Sequence, residues 1–273
     1  MDVSTEQSLV LEQVKRLREE HPAMGTRKLF ILIQPYLLDH QIKMGRDALF
    51  NLLAENRLLV RKKKKRIRTT QSYHRFKKYP NLIKDWHPPK PSRLWVADIT
   101  YVPRKEGFLY LSLITDAYSH KVMGYQIAAT LEMVHNITAL KMALKNEIPQ
   151  DLIHHSDRGI QYCSLEYVKL LQENNIKISM TESGDPLENP VAERIYGIIK
   201  NEYLKYYTLQ NEKQALELLH EVIHRYNQKR PHQSINMLTP QLVHTNHILV
   251  NKTWSKKRKS ILCKPITGLS NNL

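Results

Sequence analysis

Leu94-Trp95-Val96-Ala97-Asp98-Ile99-Thr100-Tyr101-Val102 reads as one β-strand with a carboxylate in its middle. Strand side chains alternate between faces, so Leu94, Val96, Asp98, Thr100 and Val102 share one side. An acid therefore interrupts an otherwise apolar row. An unpaired charge buried there is costly, so Asp98 needs a cation or a salt-bridge partner. Taken alone, a salt-bridged structural aspartate satisfies that requirement as well as a functional one.

Working outward, Phe108-Leu109-Tyr110-Leu111-Ser112-Leu113-Ile114 and Val122-Met123-Gly124-Tyr125-Gln126-Ile127 read as the next two strands. Short turns containing Glu106-Gly107 and Tyr118-Ser119-His120 make the three an antiparallel meander. The period then changes: a helix over 131–146, a strand over 152–155, a helix over 164–173, a strand at Lys177-Ile178-Ser179-Met180, and a long helix through Glu193. Such an order predicts an α/β fold, a mixed sheet with helices on its faces. Ligand sites in these sheets lie at strand carboxyl ends, where Asp157 stands in Leu152-Ile153-His154-His155-Ser156-Asp157-Arg158-Gly159.

Glu193 is placed by the helical wheel, at about 100° per residue. Val191, Ile195, Ile198 and Ile199 cluster opposite Glu193 and are expected to pack inward, while Asn189, Gly197 and Lys200 share its side. Gly197 weakens the helix but admits a close backbone approach. Lys200 points a cation along the face of Glu193. A surface glutamate beside a surface lysine is the plain alternative, and it leaves the glycine unexplained. Brought together, Asp98, Asp157 and Glu193 would repel and raise one another's pKa values. A divalent cation resolves that repulsion, and carboxylate-bridged Mg²⁺ pairs are the usual agents of phosphodiester chemistry. Of the competing acids, Asp116 reads as a turn cap, Glu182 and Asp185 as loop residues, and Glu188 as the first turn of the Glu193 helix. His154 and His155 read as packing or hydrogen-bonding residues. Two cysteines, Cys163 and Cys263, are too few for a disulfide framework or a cysteine-rich zinc site.

The chain has 273 residues, with 42 Lys+Arg against 26 Asp+Glu, a net charge of +16 and a pI near 9.7. That balance predicts a polyanionic partner. No apolar run has transmembrane length, which leaves nucleic acid ahead of a membrane and predicts a cytoplasmic, nucleoid-associated protein. Residues 1–60 read as a small helical domain: a helix over 5–20, one from Gly25-Thr26 to Leu38 whose last turn Pro35 makes doubtful, and one opening at Gly45-Arg46-Asp47. Basic residues at helix starts (Arg27, Lys28, Arg46) fit a helix-turn-helix, and an ordinary helical subdomain fits equally. A linker over 61–90 follows. Its run Arg61-Lys62-Lys63-Lys64-Lys65-Arg66 is expected to track phosphates. Residues 91–208 form the expected core, 209–245 a helical extension, and 246–273 a basic tail.

Trp95-Val96-Ala97-Asp98-Ile99-Thr100-Tyr101, His155-Ser156-Asp157-Arg158-Gly159-Ile160-Gln161-Tyr162 and Glu188-Asn189-Pro190-Val191-Ala192-Glu193-Arg194 resemble the three blocks of integrase-core transposases. Within that family they are most similar to the two-frame bacterial insertion sequences, the IS-three group, whose core is similar to retroviral integrase. Tyr226-Asn227-Gln228-Lys229-Arg230-Pro231-His232-Gln233-Ser234, with Thr239-Pro240, resembles the motif ending that core, and His21 to Arg57 resembles the helix-turn-helix preceding it. The resemblance implies an RNase H-like five-stranded sheet with Asp98, Asp157 and Glu193 as catalytic and metal-binding residues. It implies two Mg²⁺ ions, with Mn²⁺ able to substitute, acting in DNA cleavage at element ends and 3′-OH strand transfer. Double-stranded DNA is the implied substrate; the residues expected to grip it are Arg46, the run Lys62, Lys63, Lys64 and Lys65, Lys200 from the helical wheel, and Arg230. A homo-oligomer on DNA and an upstream-frame protein, as fusion or partner, are the implied associates. Glu188 stands where many relatives carry aspartate. Two other readings remain open at this point: a hydrolytic nuclease of the RNase H superfamily, and a DNA-binding regulator with an inactive core.

Overall fold

The computed structural model describes residues 3–60, 75–84, 86–146, 150–182 and 189–250. Lys62, Lys63, Lys64, Lys65, Asp185, Glu188 and Cys263 lie outside the described residues.

Five strands form one mixed sheet in the order β3-β2-β1-β4-β5. They are β1 (Leu94–Pro103), β2 (Phe108–Asp116), β3 (Val122–Ala128), β4 (Ile153–Ser156) and β5 (Lys177–Met180). The meander β1-β2-β3 is antiparallel, and β4 and β5 run parallel to β1. Because β1 is central it is covered on both faces. Leu94, Val96 and Val102 pack into a core with α7 (Pro190–Ile198) and α8 (Glu212–Lys229). Trp95 and Ala97 pack the other way, against α4 (Met133–Asn146) and α6 (Leu165–Glu173). The near-continuous apolar run of β1 is the sequence trace of this double burial.

Each turn has a local cause. Gly107, at φ +82, closes the β1–β2 hairpin in a conformation that L side chains rarely adopt. Asp116 caps the β2–β3 turn as expected: its Oδ1 accepts from Ser119 N at 2.7 Å and its Oδ2 from Ser92 N at 2.7 Å. Gly124 in β3 leaves no room for a Cβ against the Ala139 carbonyl of α4, so glycine there lets helix and sheet close up.

The N-terminal helices α1 (Val3–Glu20), α2 (Thr26–Asp39) and α3 (Arg46–Glu55) surround a core of their own that includes Val14, Leu29, Ile33, Leu49 and Leu53. The last turn of α2 persists through Pro35. That proline and Ile31, whose carbonyl loses its donor, both face solvent, while buried Ile33 and Leu37 hold the turn down. Part of the expected linker is seated on the core. Met180 N donates to Pro80 O at 3.3 Å and Leu82 N to Ser179 Oγ at 2.9 Å, while Tyr79 and Ile83 pack into the two core clusters.

The expected long helix through Glu193 breaks up. Regular α-helix ends at Ile198, followed by a π-helical turn, Ile199–Tyr203, and a 3₁₀ turn, Leu204–Tyr206. The cause is tertiary. Glu202 takes a bidentate hydrogen bond from Arg230, at 2.9 and 2.8 Å from Nη2, and the Tyr203 hydroxyl meets His21 Nδ1 at 2.8 Å. Lys28 Nζ lies 3.9 Å from Glu202 and Lys229 Nζ 2.9 Å from Glu20, so the N-terminal helices dock on this segment and on α8. A short helix unforeseen from the sequence, α5 (Ile160–Cys163), follows β4, and α9 (Pro240–Thr245) is the last helix among the described residues.

Candidate active site

Asp98 projects from the middle of β1 on the side that faces α7. The parallel register pairs Val96 with His155. Two residues on, the same register sets Asp157, just past the carboxyl end of β4, beside Asp98. Asp157 Oδ1 accepts from Gly159 N at 2.9 Å, which shapes the turn into α5. Glu193 comes from the first turn of α7, a favourable place for a carboxylate at the positive end of a helix. Val191, Ile195 and Ile198 of the same helix, and Ile199 at the start of the π-helical turn, pack into the core, as the wheel requires, and Glu193 is left half-buried.

The electrostatics report the meeting of the three acids. Asp98 is pushed up to about 8, first by burial, then by the charge of Asp157 and, more weakly, that of Glu193, against one hydrogen bond from Ile99 N that lowers it. The residue is half-buried. Among the described residues no three carboxylate, imidazole or thiol groups converge tightly enough to grip one ion. The acids are neighbours, short of a closed cage. Their chemistry nevertheless fits a hard divalent cation: carboxylate oxygens, one of them destabilised as an anion by its neighbours. The nearby imidazoles are engaged elsewhere, His154 Nε2 with the Tyr167 hydroxyl at 3.0 Å and His155 Nδ1 with Ser179 Oγ at 2.9 Å.

Lys200 also reaches the site, but by a route the wheel did not foresee. It lies in the π-helical turn, half-buried, and its Nζ donates to Thr100 Oγ1 at 3.0 Å, two residues beyond Asp98 on the same face of β1. Burial lowers its pKa, and the charge of Asp98 acts to raise it. Among the described residues nothing lies within 4 Å of the missing Cβ of Gly197, so the close approach expected there is not made by any of them.

Arg230 is a correction to the sequence reading. Its side chain is wholly buried, in a bidentate pair with Glu202 and beneath the Tyr226 ring, and offers no surface to a phosphate. Lys28 is likewise turned towards Glu202 and Arg230, and burial lowers it to about 8. Arg46 stands exposed at the start of α3, 2.8 Å from Asp47 and away from the acids. The sequence reading gave Asn189 and Tyr196 no role, although they stand four residues before and three after Glu193, a spacing that puts all three on one helix face.

The comparisons agree with this architecture. Two family models, each described as an integrase core domain, match residues 88–186 and 174–240. The "Insertion element IS600 uncharacterized 31 kDa protein" of Shigella sonnei is 37% identical over 228 residues, covering 82% of this chain and 81% of that protein. The "Transposase for insertion sequence element IS629" of the same organism is 32% identical over 190 residues, covering 69% of this chain and 63% of that protein. Among solved structures, a chain in the simian T-cell lymphotropic virus intasome in complex with PP2A regulatory subunit B56 gamma overlays with a TM-score of 0.52 at 17% identity. It covers 87% of this chain and 76% of that one, a likeness of fold. Sheet order, helical flanks and acid-bearing elements thus define an RNase H-like integrase core, the scaffold of Asp-Asp-Glu polynucleotidyl transferases. The chain belongs to the integrase-core family of insertion-sequence transposases.

Proposed function

We propose that Asp98, Asp157 and Glu193 are the catalytic carboxylates with which this transposase cuts DNA at the ends of its element and joins the freed 3′-OH to target DNA. The observation that carries the assignment is the elevated Asp98, held at about 8 by burial and by the charges of Asp157 and Glu193. A strand interior tolerates that cost where a cation is to be received, and a core kept only for dimerisation has no use for it. Asp98 and Asp157, on neighbouring strands, would hold Mg²⁺ from the sheet side and Glu193 from the helix side, with Mn²⁺ able to substitute. Two such ions, when bound, activate the attacking oxygen and stabilise the leaving one. Lys200 would fix a phosphate beside Asp98, and α3 would meet the duplex with Arg46, whose exposed pair with Asp47 is weak enough to exchange for a phosphate. Lys62, Lys63, Lys64 and Lys65 would follow the backbone between helical domain and core. A homo-oligomer assembled on DNA, joined by the upstream-frame product, completes the proposed machine in the bacterial cytoplasm, at the nucleoid. Among the described residues no helix is long and apolar enough to cross a membrane.

The test is incubation with labelled element-end duplexes and Mg²⁺. Wild type is expected to give joined products, and Asp98→Asn, Asp157→Asn and Glu193→Gln to retain DNA binding with no cleavage. Nicked products alone would favour a hydrolytic nuclease, and a gel shift without cleavage an inactive DNA-binding core. Retained cleavage in any one variant would remove that residue from the site.

A further inference from the structure

We infer that Asn189 and Tyr196 are positioning residues that staple the Glu193 helix to the main chain of Asp98 and so set the spacing of the two carboxylates. The inference rests on Asp98 and Glu193 belonging to one metal-binding site, as proposed above. Asn189 occupies the N-cap of α7, where an asparagine side chain ordinarily accepts from an N–H of the first helical turn. Here it makes no capping hydrogen bond. Its amide reaches across instead, and Nδ2 donates to the Ala97 carbonyl at 3.1 Å. Tyr196, at 5% exposure, sends its hydroxyl the opposite way along the helix. That hydroxyl donates to the Asp98 carbonyl and accepts from Leu113 N at 2.7 Å, and Leu113 stands directly opposite Asp98 in the β1–β2 register.

The two anchors are complementary. Successive carbonyls of a strand point to opposite edges, so Ala97 and Asp98 present their oxygens to different neighbours. The Asp98 carbonyl faces β2, where Tyr196 links it to Leu113. The Ala97 carbonyl faces the β4 side, where strand pairing stops at Val96 and His155 because the chain turns away into Asp157. Asn189 supplies the donor that the missing ladder would have given. The main chain of Asp98 is thus held on both sides by one helix, with Glu193 between the two anchors. Neither side chain has to touch a metal ion or DNA to matter. Groups that orient metal ligands typically change metal affinity or activity by 10- to 100-fold when removed.

The experiment follows Mn²⁺ binding by electron paramagnetic resonance in the full chain bound to an element-end duplex, beside thermal unfolding of each variant. Wild type and Glu193→Gln set the scale, and Glu193→Gln is expected to lose Mn²⁺ binding. Tyr196→Phe, which keeps the ring and removes the hydroxyl, is expected to weaken Mn²⁺ binding about tenfold or more. Asn189→Ala is expected to do the same without loss of helix, because no cap is removed, and it carries the test if Tyr196→Phe does not fold. Folded variants that bind Mn²⁺ as wild type does, whatever their melting temperature, overturn the staple while leaving the three-acid assignment intact. A Glu193→Gln protein that binds Mn²⁺ normally overturns the assignment itself, and the staple with it.

Discussion

Replacing Asp98 by asparagine should make the metal-free protein more stable, by an amount that grows with pH. In the fold Asp98 keeps its proton up to about 8, against 3.8 for an unperturbed aspartate. Between those values the folded chain holds a proton that the unfolded chain has released. The contribution of this group to stability is therefore whole below pH 3.8 and is lost as pH rises through about 8. The slope is at most about 1.4 kcal/mol per pH unit. Because part of the residue meets water, solvent screening brings the working figure to roughly 0.5–1 kcal/mol per unit. Asparagine carries no such charge. From about pH 6 to pH 8 the variant should thus gain roughly 1–2 kcal/mol on wild type, or several degrees in melting temperature for a chain of this size. The assay is thermal unfolding of both proteins in chelator between about pH 6 and pH 9, with the difference levelling off above the Asp98 pKa. Saturating Mg²⁺ at pH 8 should reverse the order, since a cation bound only by the folded wild type stabilises it. A difference that stays flat with pH, or an asparagine variant less stable than wild type at pH 8 without metal, would refute the reasoning.

Lys200→Glu should lower cleavage and joining by roughly a hundredfold, since misplacing a reacting phosphate by about 1 Å costs about that much. Lys200→Ala should be milder, and filter-binding affinity should fall only modestly in both; normal rates in Lys200→Glu would make this an ordinary lysine. Arg230→Ala should destabilise the protein by about 3 kcal/mol or more in denaturant titrations, because Glu202 then keeps a charge without its buried partner. Its DNA affinity at temperatures where it is folded should stay near wild type, and a selective loss of affinity would restore Arg230 as a DNA-binding residue. Neutralising Lys62, Lys63, Lys64 and Lys65 should flatten the plot of log affinity against log salt by up to about 3–4, near 0.9 for each phosphate no longer neutralised. An unchanged slope would make the run a solvated connector.

The sequence alone determined the alternation that buries β1 on both faces, the meander, the wheel that turns Ile195, Ile198 and Ile199 inward, and the capping role of Asp116. These features arise from contacts within an element or across one turn, so the local pattern carries them. Asp98 was legible as a candidate for a related reason: an acid in an apolar row stands out against its own neighbours, whereas Asp157 and Glu193 became candidates only in combination with it. Only the tertiary structure decided what meets across long stretches of chain. Arg230 looked like a surface cation, but Glu202, in the π-helical turn after α7, gives its guanidinium a buried carboxylate. Lys200 was placed by a regular wheel, yet that turn, held by Glu202 and Tyr203, changes the helical period before the lysine is reached and brings it to Thr100. Asn189 was placed by the wheel only on the side of Glu193; the end of the β1–β4 ladder, which leaves the Ala97 carbonyl in need of a donor, decides its partner. A side chain with two possible partners takes the one whose backbone group would otherwise be buried without a hydrogen bond, and which group that is depends on where the strands stop pairing.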